Sequence, residues 1–172
     1  MTVYRDAAHC IARIMSIETN TCTAQSAWQR LYRSGYDEVI PEGCGLTAEE
    51  RLTQDAMTRS RVKTMLPESQ WHAIVAKYSI NTGEVEASII WLASHLRELP
   101  AHHLFRLKAI AAWAVPRGYP QEFYQINTWD TDGTSERTLY RWRSQVNGEL
   151  GRLVNDAHKS VQAVIEYKEL AI

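Results

Sequence analysis

From Leu139 to Val164 the chain places an apolar residue at every third or fourth position. The series is Leu139, Trp142, Val146, Leu150, Leu153, Ala157, Val161 and Val164. Such spacing closes into a single stripe only on an α-helix, at 3.6 residues per turn. A helix of this length has to lay that stripe on the rest of the protein. The spacing predicts a helix from Ser135 towards Leu170, with Ser135 as its N-cap after a turn at Asp130-Thr131-Asp132-Gly133.

The rest of the chain repeats the helical period. Val3, Ala7, Ile11 and Ile14 form a first stripe, and Trp28, Leu31 and Tyr32 mark a second that Gly35 stops. The stretch Gly35 to Gly45 reads as a loop. Thr47-Ala48-Glu49-Glu50 has the form of a capping box, so a helix should start there with Leu52, Ala56 and Val62 facing in. Leu66-Pro67 opens another helix, with Trp71, Ile74, Val75 and Tyr78 buried. After a turn at Asn81-Thr82-Gly83, Val85, Ile89, Leu92 and Leu96 form the next. Leu99-Pro100 repeats the earlier punctuation, and Leu104, Leu107, Ala111 and Ala114 follow at helical spacing. Pro116 to Pro120 breaks that helix, and a short one is expected from Pro120 to about Trp129 with Phe123 and Ile126 inward. No segment sustains a period of two. The expected fold is all-α: a small multi-helix domain with a helix-turn-helix and a long C-terminal helix. Residues 1–45 form an N-terminal helical arm and loop, and residues 46–172 a helical body whose helix-turn-helix lies at about 100–153. The two Leu-Pro openings lie 33 residues apart, but the units around them do not otherwise match as a helical repeat.

Composition narrows the function classes. The chain has 172 residues and a net charge of −1, which excludes a uniformly basic, histone-like binder. Its longest strongly apolar stretch, Ala109 to Val115, is far too short to span a bilayer, and the N-terminus has no secretory signal pattern. A soluble, cytoplasmic protein is expected. Cys10, Cys22 and Cys44 are odd in number and irregularly spaced, which fits reduced thiols better than a disulfide framework. Of 19 basic residues, 14 are Arg. Arg presents a planar fork of donors suited to phosphates and to guanine edges.

The informative chemistry sits at the start of the long helix. At about 100° per residue, Arg137, Arg141 and Ser144 project opposite the apolar stripe, with Tyr140 beside them and Arg143 at the flank. Ser135 and Thr138 add hydroxyls that can bond phosphate oxygens. The helix dipole and the free amides of the first turn also favour an anion. A DNA recognition helix needs this arrangement, with one face fixed by packing and Arg or short polar side chains near its start. Many ordinary surface helices also begin with Ser and carry Arg outside. Residues 51–63 supply a second candidate face for nucleic acid or polymerase, with Arg51, Arg59, Arg61 and Lys63 against one acid, Asp55. An ordinary solvated face is the competing reading.

Other chemistries find no residue set. His72, His95, His102 and His103 match neither a His-Glu-x-x-His motif nor a Cys/His zinc spacing. Asp130-x-Asp132-Gly133 departs from a calcium loop in the position of its Gly, so a turn and cap are expected. There is no Gly-rich phosphate loop, nucleophile elbow or spaced carboxylate pair. No enzyme, metal or cofactor is expected, and the Trp residues are read as core.

Leu99-Pro100, a helix, a Gly, a short helix and then Ser135-Glu136-Arg137-Thr138-Leu139-Tyr140-Arg141-Trp142 resemble region 4 of bacterial sigma factors, a helix-turn-helix. Leu66-Pro67 with Trp71, Ile74, Val75 and Tyr78 looks like a second copy of its opening helix. Together with Ser26-Ala27-Trp28-Gln29-Arg30 and Gly35-Tyr36-Asp37, the layout is similar to the Q-class late-gene antiterminators of phages. Bacterial relatives such as cell-lysis regulators of the AlpA type are arranged in a similar way. One departure is plain: Trp129 and Ser135 are six positions apart, where the usual turn has about three residues.

This resemblance implies a phage or prophage-type regulator that binds DNA near a promoter, loads onto paused RNA polymerase and suppresses terminators. The implied partners are double-stranded DNA and RNA polymerase, with the sigma factor and nascent RNA as further candidates and no membrane. Two other readings stay open. One is a simple helix-turn-helix repressor or activator, or a phage packaging subunit, without polymerase contact. The other is a helical protein–protein adaptor.

Overall fold

The computed structural model describes residues 4–17 and 48–170, and among these every regular element is helical. The elements are α1 (Ala7–Met15), α2 (Ala48–Met65), α3 (Glu68–Tyr78), α4 (Thr82–His95), α5 (His103–Ala114) and α6 (Glu136–Leu170). Two single 3-10 turns, Gln121–Tyr124 and Ile126–Trp129, lie between α5 and α6. The expected helix around Trp28, the loop from Gly35 to Gly45, Thr47, Cys22 and Cys44 lie outside the described residues. No helix among the described residues is long and apolar enough to cross a membrane.

The core forms two clusters that share α3 and α6. The first joins Val85, Ile89 and Leu92 of α4 to Phe105 and Ile110 of α5 and to Trp129. Leu139, Val146, Leu150 and Leu153 of α6 close it. The second joins Ile11, Ile14 and Met15 of α1 to Val62 of α2 and to Trp71 and Ile74 of α3. Ala157, Val161 and Val164 of α6 complete that one. At 1.5 Å per residue α6 is about 52 Å long, enough to serve both. The expected stripe is buried throughout, except that Trp142 is half-buried.

Residues 4–17, part of the expected N-terminal helical arm, pack on α2, α3 and α6. Asp6 caps α1 by accepting from the His9 amide at 2.8 Å. The Ala7 amide donates to Gln162 Oε1 of α6 at 3.0 Å. A polar knot then joins α1 to α2. Arg13 donates to Asp55 Oδ2 at 2.8 and 3.1 Å, and the Tyr4 hydroxyl donates to Asp55 Oδ1 at 2.8 Å. Burial pushes the Tyr4 phenol up, so it remains a donor.

That knot explains an error in the sequence reading of α2. Leu52 is 55% exposed and Ala56 is also exposed, whereas Asp55, Thr58, Val62 and Leu66 face inward. The inner face is half polar because α1 brings a cation and a phenol to meet it. The register of α5 also differs from expectation. Leu104 is 39% exposed, while Phe105, Arg106, Ala109 and Ile110 are buried. This helix is covered on most sides, so its stripe is too broad to locate from spacing. Its Arg106 guanidinium donates to Ala93 O at 3.1 Å and to Ala101 O, satisfying carbonyls at and beyond the end of α4.

Three histidines make stability depend on pH. His9, His72 and His158 are each held below the ordinary 6.5, first of all because burial disfavours the cation. A histidine with a depressed folded pKa binds fewer protons folded than unfolded. Its contribution is present above pH 6.5 and declines as pH falls through 6.5 towards the depressed values. The melting temperature should therefore be lower at about pH 5.5 than at about pH 7.5. A calorimetric scan at the two values checks this, and an unchanged or higher melting temperature in acid contradicts it.

Candidate nucleic-acid interface

The start of α6 is built by the turn before it. Gly133 adopts a φ of 71°, the left-handed conformation that favours glycine, and lets the chain reverse into the helix. Asp130 organises this turn. Its Oδ2 accepts from the Thr134 amide at 2.7 Å and its Oδ1 from the Thr134 hydroxyl at 3.2 Å. The Thr134 amide, with His102 and the other donors around it, holds the Asp130 carboxyl below the usual carboxylate range. The Ser135 and Thr138 hydroxyls lie 3.0 Å apart, and Ser135 O accepts from the Thr138 and Leu139 amides.

A second bond ties the turn to α5. His102 caps that helix by accepting from the Phe105 amide at its Nδ1, 3.1 Å away. That bond puts the ring proton on Nε2, which donates to Asp130 Oδ1 at 3.0 Å. The His102 ring stands edge-to-face against Phe105 and Trp142, so packing also fixes its plane. Sequence reasoning missed this latch. Its two halves are 28 residues apart and each has an ordinary local explanation, a helix cap and a turn aspartate. Asp132 places a carboxylate oxygen within 4.8 Å of the His102 and Asp130 ligand atoms. A cation there would have to displace the Nε2 proton that makes the latch, so these three carry no metal assignment.

The arginine face divides into free and committed groups. Arg137 and Arg141 are exposed and have no ion pair with any described residue. They lie four positions apart, about 40° around the helix and about 6 Å along it. Tyr140 is 53% exposed beside them, and Ser135 and Ser144 are exposed as well. Thr138 is half-buried. Arg143 is also half-buried, with its guanidinium 5.4 Å from the Trp129 ring centroid, so a cation–π contact already holds it at the rim.

Beyond Ser144 the outer line of α6 continues through Gly148 and close by Gly151. A Cβ added to either glycine would meet nothing within 4 Å. Further along, Arg152 pairs with Glu149 and Asp156, so it is committed where Arg137 and Arg141 are not.

The second expected basic face does not form one surface. Arg59 bends towards α4, where it pairs with Glu84 at 2.6 Å and lies 5.8 Å from the Trp71 ring centroid. Lys63 flanks the same ring at 6.0 Å. Arg61 lies about 200° around α2 from Arg59 and is half-buried, while Arg51 is exposed one end away. The short helix expected before Trp129 is also different: it is the two 3-10 turns. The Tyr124 hydroxyl donates to Val115 O at 2.5 Å and accepts from the Gly118 and Tyr119 amides, which draws the chain into a tight corner.

Two outcomes test this geometry. Asp130→Ala should speed hydrogen exchange at the Thr134 amide by at least tenfold while leaving the Val146 to Leu153 amides protected, as read by exchange-resolved NMR; equal rates in both proteins would show the carboxylate does not hold the turn. Gly148→Ala should raise unfolding stability by about 0.5–1 kcal/mol in urea titration, because the position is helical, open and entropically costly.

No family model matches this chain, and neither does any curated protein or solved structure.

Proposed function

We propose that this protein is a DNA-binding regulator of transcription that acts on paused RNA polymerase to promote read-through of terminators. The observation that carries the DNA part is the pair Arg137 and Arg141. Both are exposed, and without an ion pair among the described residues, on the outer face of the first turns of a helix seated by its opposite stripe. Two arginines about 6 Å apart along the helix axis can present their guanidinium forks to neighbouring acceptors on base edges or phosphates in a major groove. Ser135 and Thr138 would add phosphate contacts, with Tyr140, Arg143 and Ser144 bounding the footprint. The polymerase part rests on the resemblance to Q-class antiterminators. In this reading the protein is cytoplasmic, has no enzymatic activity and needs no cofactor.

Arg137→Ala and Arg141→Ala separate the modes of contact. A bidentate base contact loses about 1–3 kcal/mol of specific binding. A phosphate contact weakens all sequences alike and lowers the salt slope by about one. The double variant should lose binding to its own upstream DNA in a mobility-shift titration, and normal affinity would remove the proposal. Polymerase action is tested by transcription with purified enzyme on templates carrying that DNA and a terminator. An antiterminator raises read-through without changing initiation, whereas a repressor changes initiation alone. An adaptor shows no salt-dependent DNA binding.

A further inference from the structure

A cleft between α2, α3 and α4 lies apart from the arginine face. Its volume is about 430 Å3, within the range of small-molecule sites. The walls are largely apolar, made by Trp71 and Val75 of α3, Ala56 of α2 and Ala87 of α4, with Ile17 at one end. The charged groups lining it are Arg59, Lys63 and Glu84.

These charges do not cancel. Arg59 is already neutralised by Glu84, 2.6 Å away across the cleft, and Glu84 also accepts from the Ser79 hydroxyl at 3.1 Å. Lys63 is exposed and has no carboxylate partner among the described residues. Its Nζ stands 6.0 Å from the centre of the Trp71 ring. His72 adds no charge near neutral pH, because burial and the nearby Lys63 both lower its pKa, against an opposing pull from Glu68. Its Nδ1 lies 3.0 Å from the Ser88 hydroxyl and its ring stacks on Trp91 at 4.5 Å, so the wall it forms is fixed. The result is an apolar, indole-walled space with one ammonium at its edge that no carboxylate among the described residues pairs.

We propose that this cleft binds a small amphiphilic monoanion: a carboxylate or sulfonate on a planar apolar body, with the oxyanion at Lys63 and the body against Trp71 and Val75. This site shares no residue with the Arg137 and Arg141 face that carries the DNA reading, although its Arg59 and Lys63 belong to the second basic face expected from the sequence.

The probes are 8-anilinonaphthalene-1-sulfonate and its uncharged counterpart N-phenyl-1-naphthylamine, titrated by fluorescence against the full chain. The sulfonate should bind with a stoichiometry of about one per chain. Lys63→Gln, a surface change, should weaken the sulfonate by about tenfold and the neutral amine by less than about twofold, the signature of a single charge contact. Ala87→Trp should exclude both probes by filling the space. If that variant melts early, Ala56→Trp fills the space from the opposite wall. Absence of sulfonate binding overturns the proposal. So does an affinity unchanged by Lys63→Gln, or one that survives both filling variants. The DNA reading is tested at Arg137 and Arg141, which the cleft does not include, so failure here and failure of that reading are separate results.

Discussion

The seating of α6 along its whole length is the constraint on which the rest of the structure depends. Leu139, Val146 and Leu150 bury its first half in the cluster that α5 and Trp129 share, and Ala157, Val161 and Val164 bury its second half in the one shared with α1, α2 and α3. Burial on one side dictates exposure on the other. At about 100° per residue, the direction opposite this stripe is occupied by Arg137, Arg141, Ser144 and Gly148. The exposure of these cations is thus a geometric result of the hydrophobic effect acting on their neighbours, and the backbone positions that carry them are as firm as the core beneath them.

Around that rod, polar contacts set the details. The His102–Asp130 bond joins the entrance of α6 to the entrance of α5, and the Arg13–Asp55–Tyr4 knot joins α1 to α2. Each carboxylate accepts several donors at once. Losing one partner would leave a covered group short of hydrogen bonds, which is costlier than never having made the contact. Arg106 plays a similar part by supplying donors to carbonyls at and just beyond the end of α4.

What could be read from the sequence follows from what kind of interaction shaped each element. The stripe of α6 was legible because one apolar face repeats through many turns, and α4 was legible for the same reason. In α2 the spacing pointed to Leu52 and Ala56, yet Asp55 and Thr58 face inward, because their partners on α1 are far away in the chain. Leu104 was misplaced since α5 is covered on most sides and has no single stripe. Between Pro120 and Trp129 the Tyr124 hydroxyl reorganises the backbone into 3-10 turns, an effect no periodicity reports. At the candidate interface, Arg137 and Arg141 stand where the helical wheel put them. Arg143 and Arg59 have instead turned to ring faces and a carboxylate that only the folded chain assembles.

Because α3 and α6 belong to both clusters, the described residues show no seam at which the two could be divided. A cut near the middle of α6 would leave one half without Leu139 and Leu150 and the other without Val161 and Val164. The arginine-bearing end is therefore unsuited to recombination as a portable cassette. Change in what its outer line presents must come from point substitutions there, made while the opposite line stays greasy.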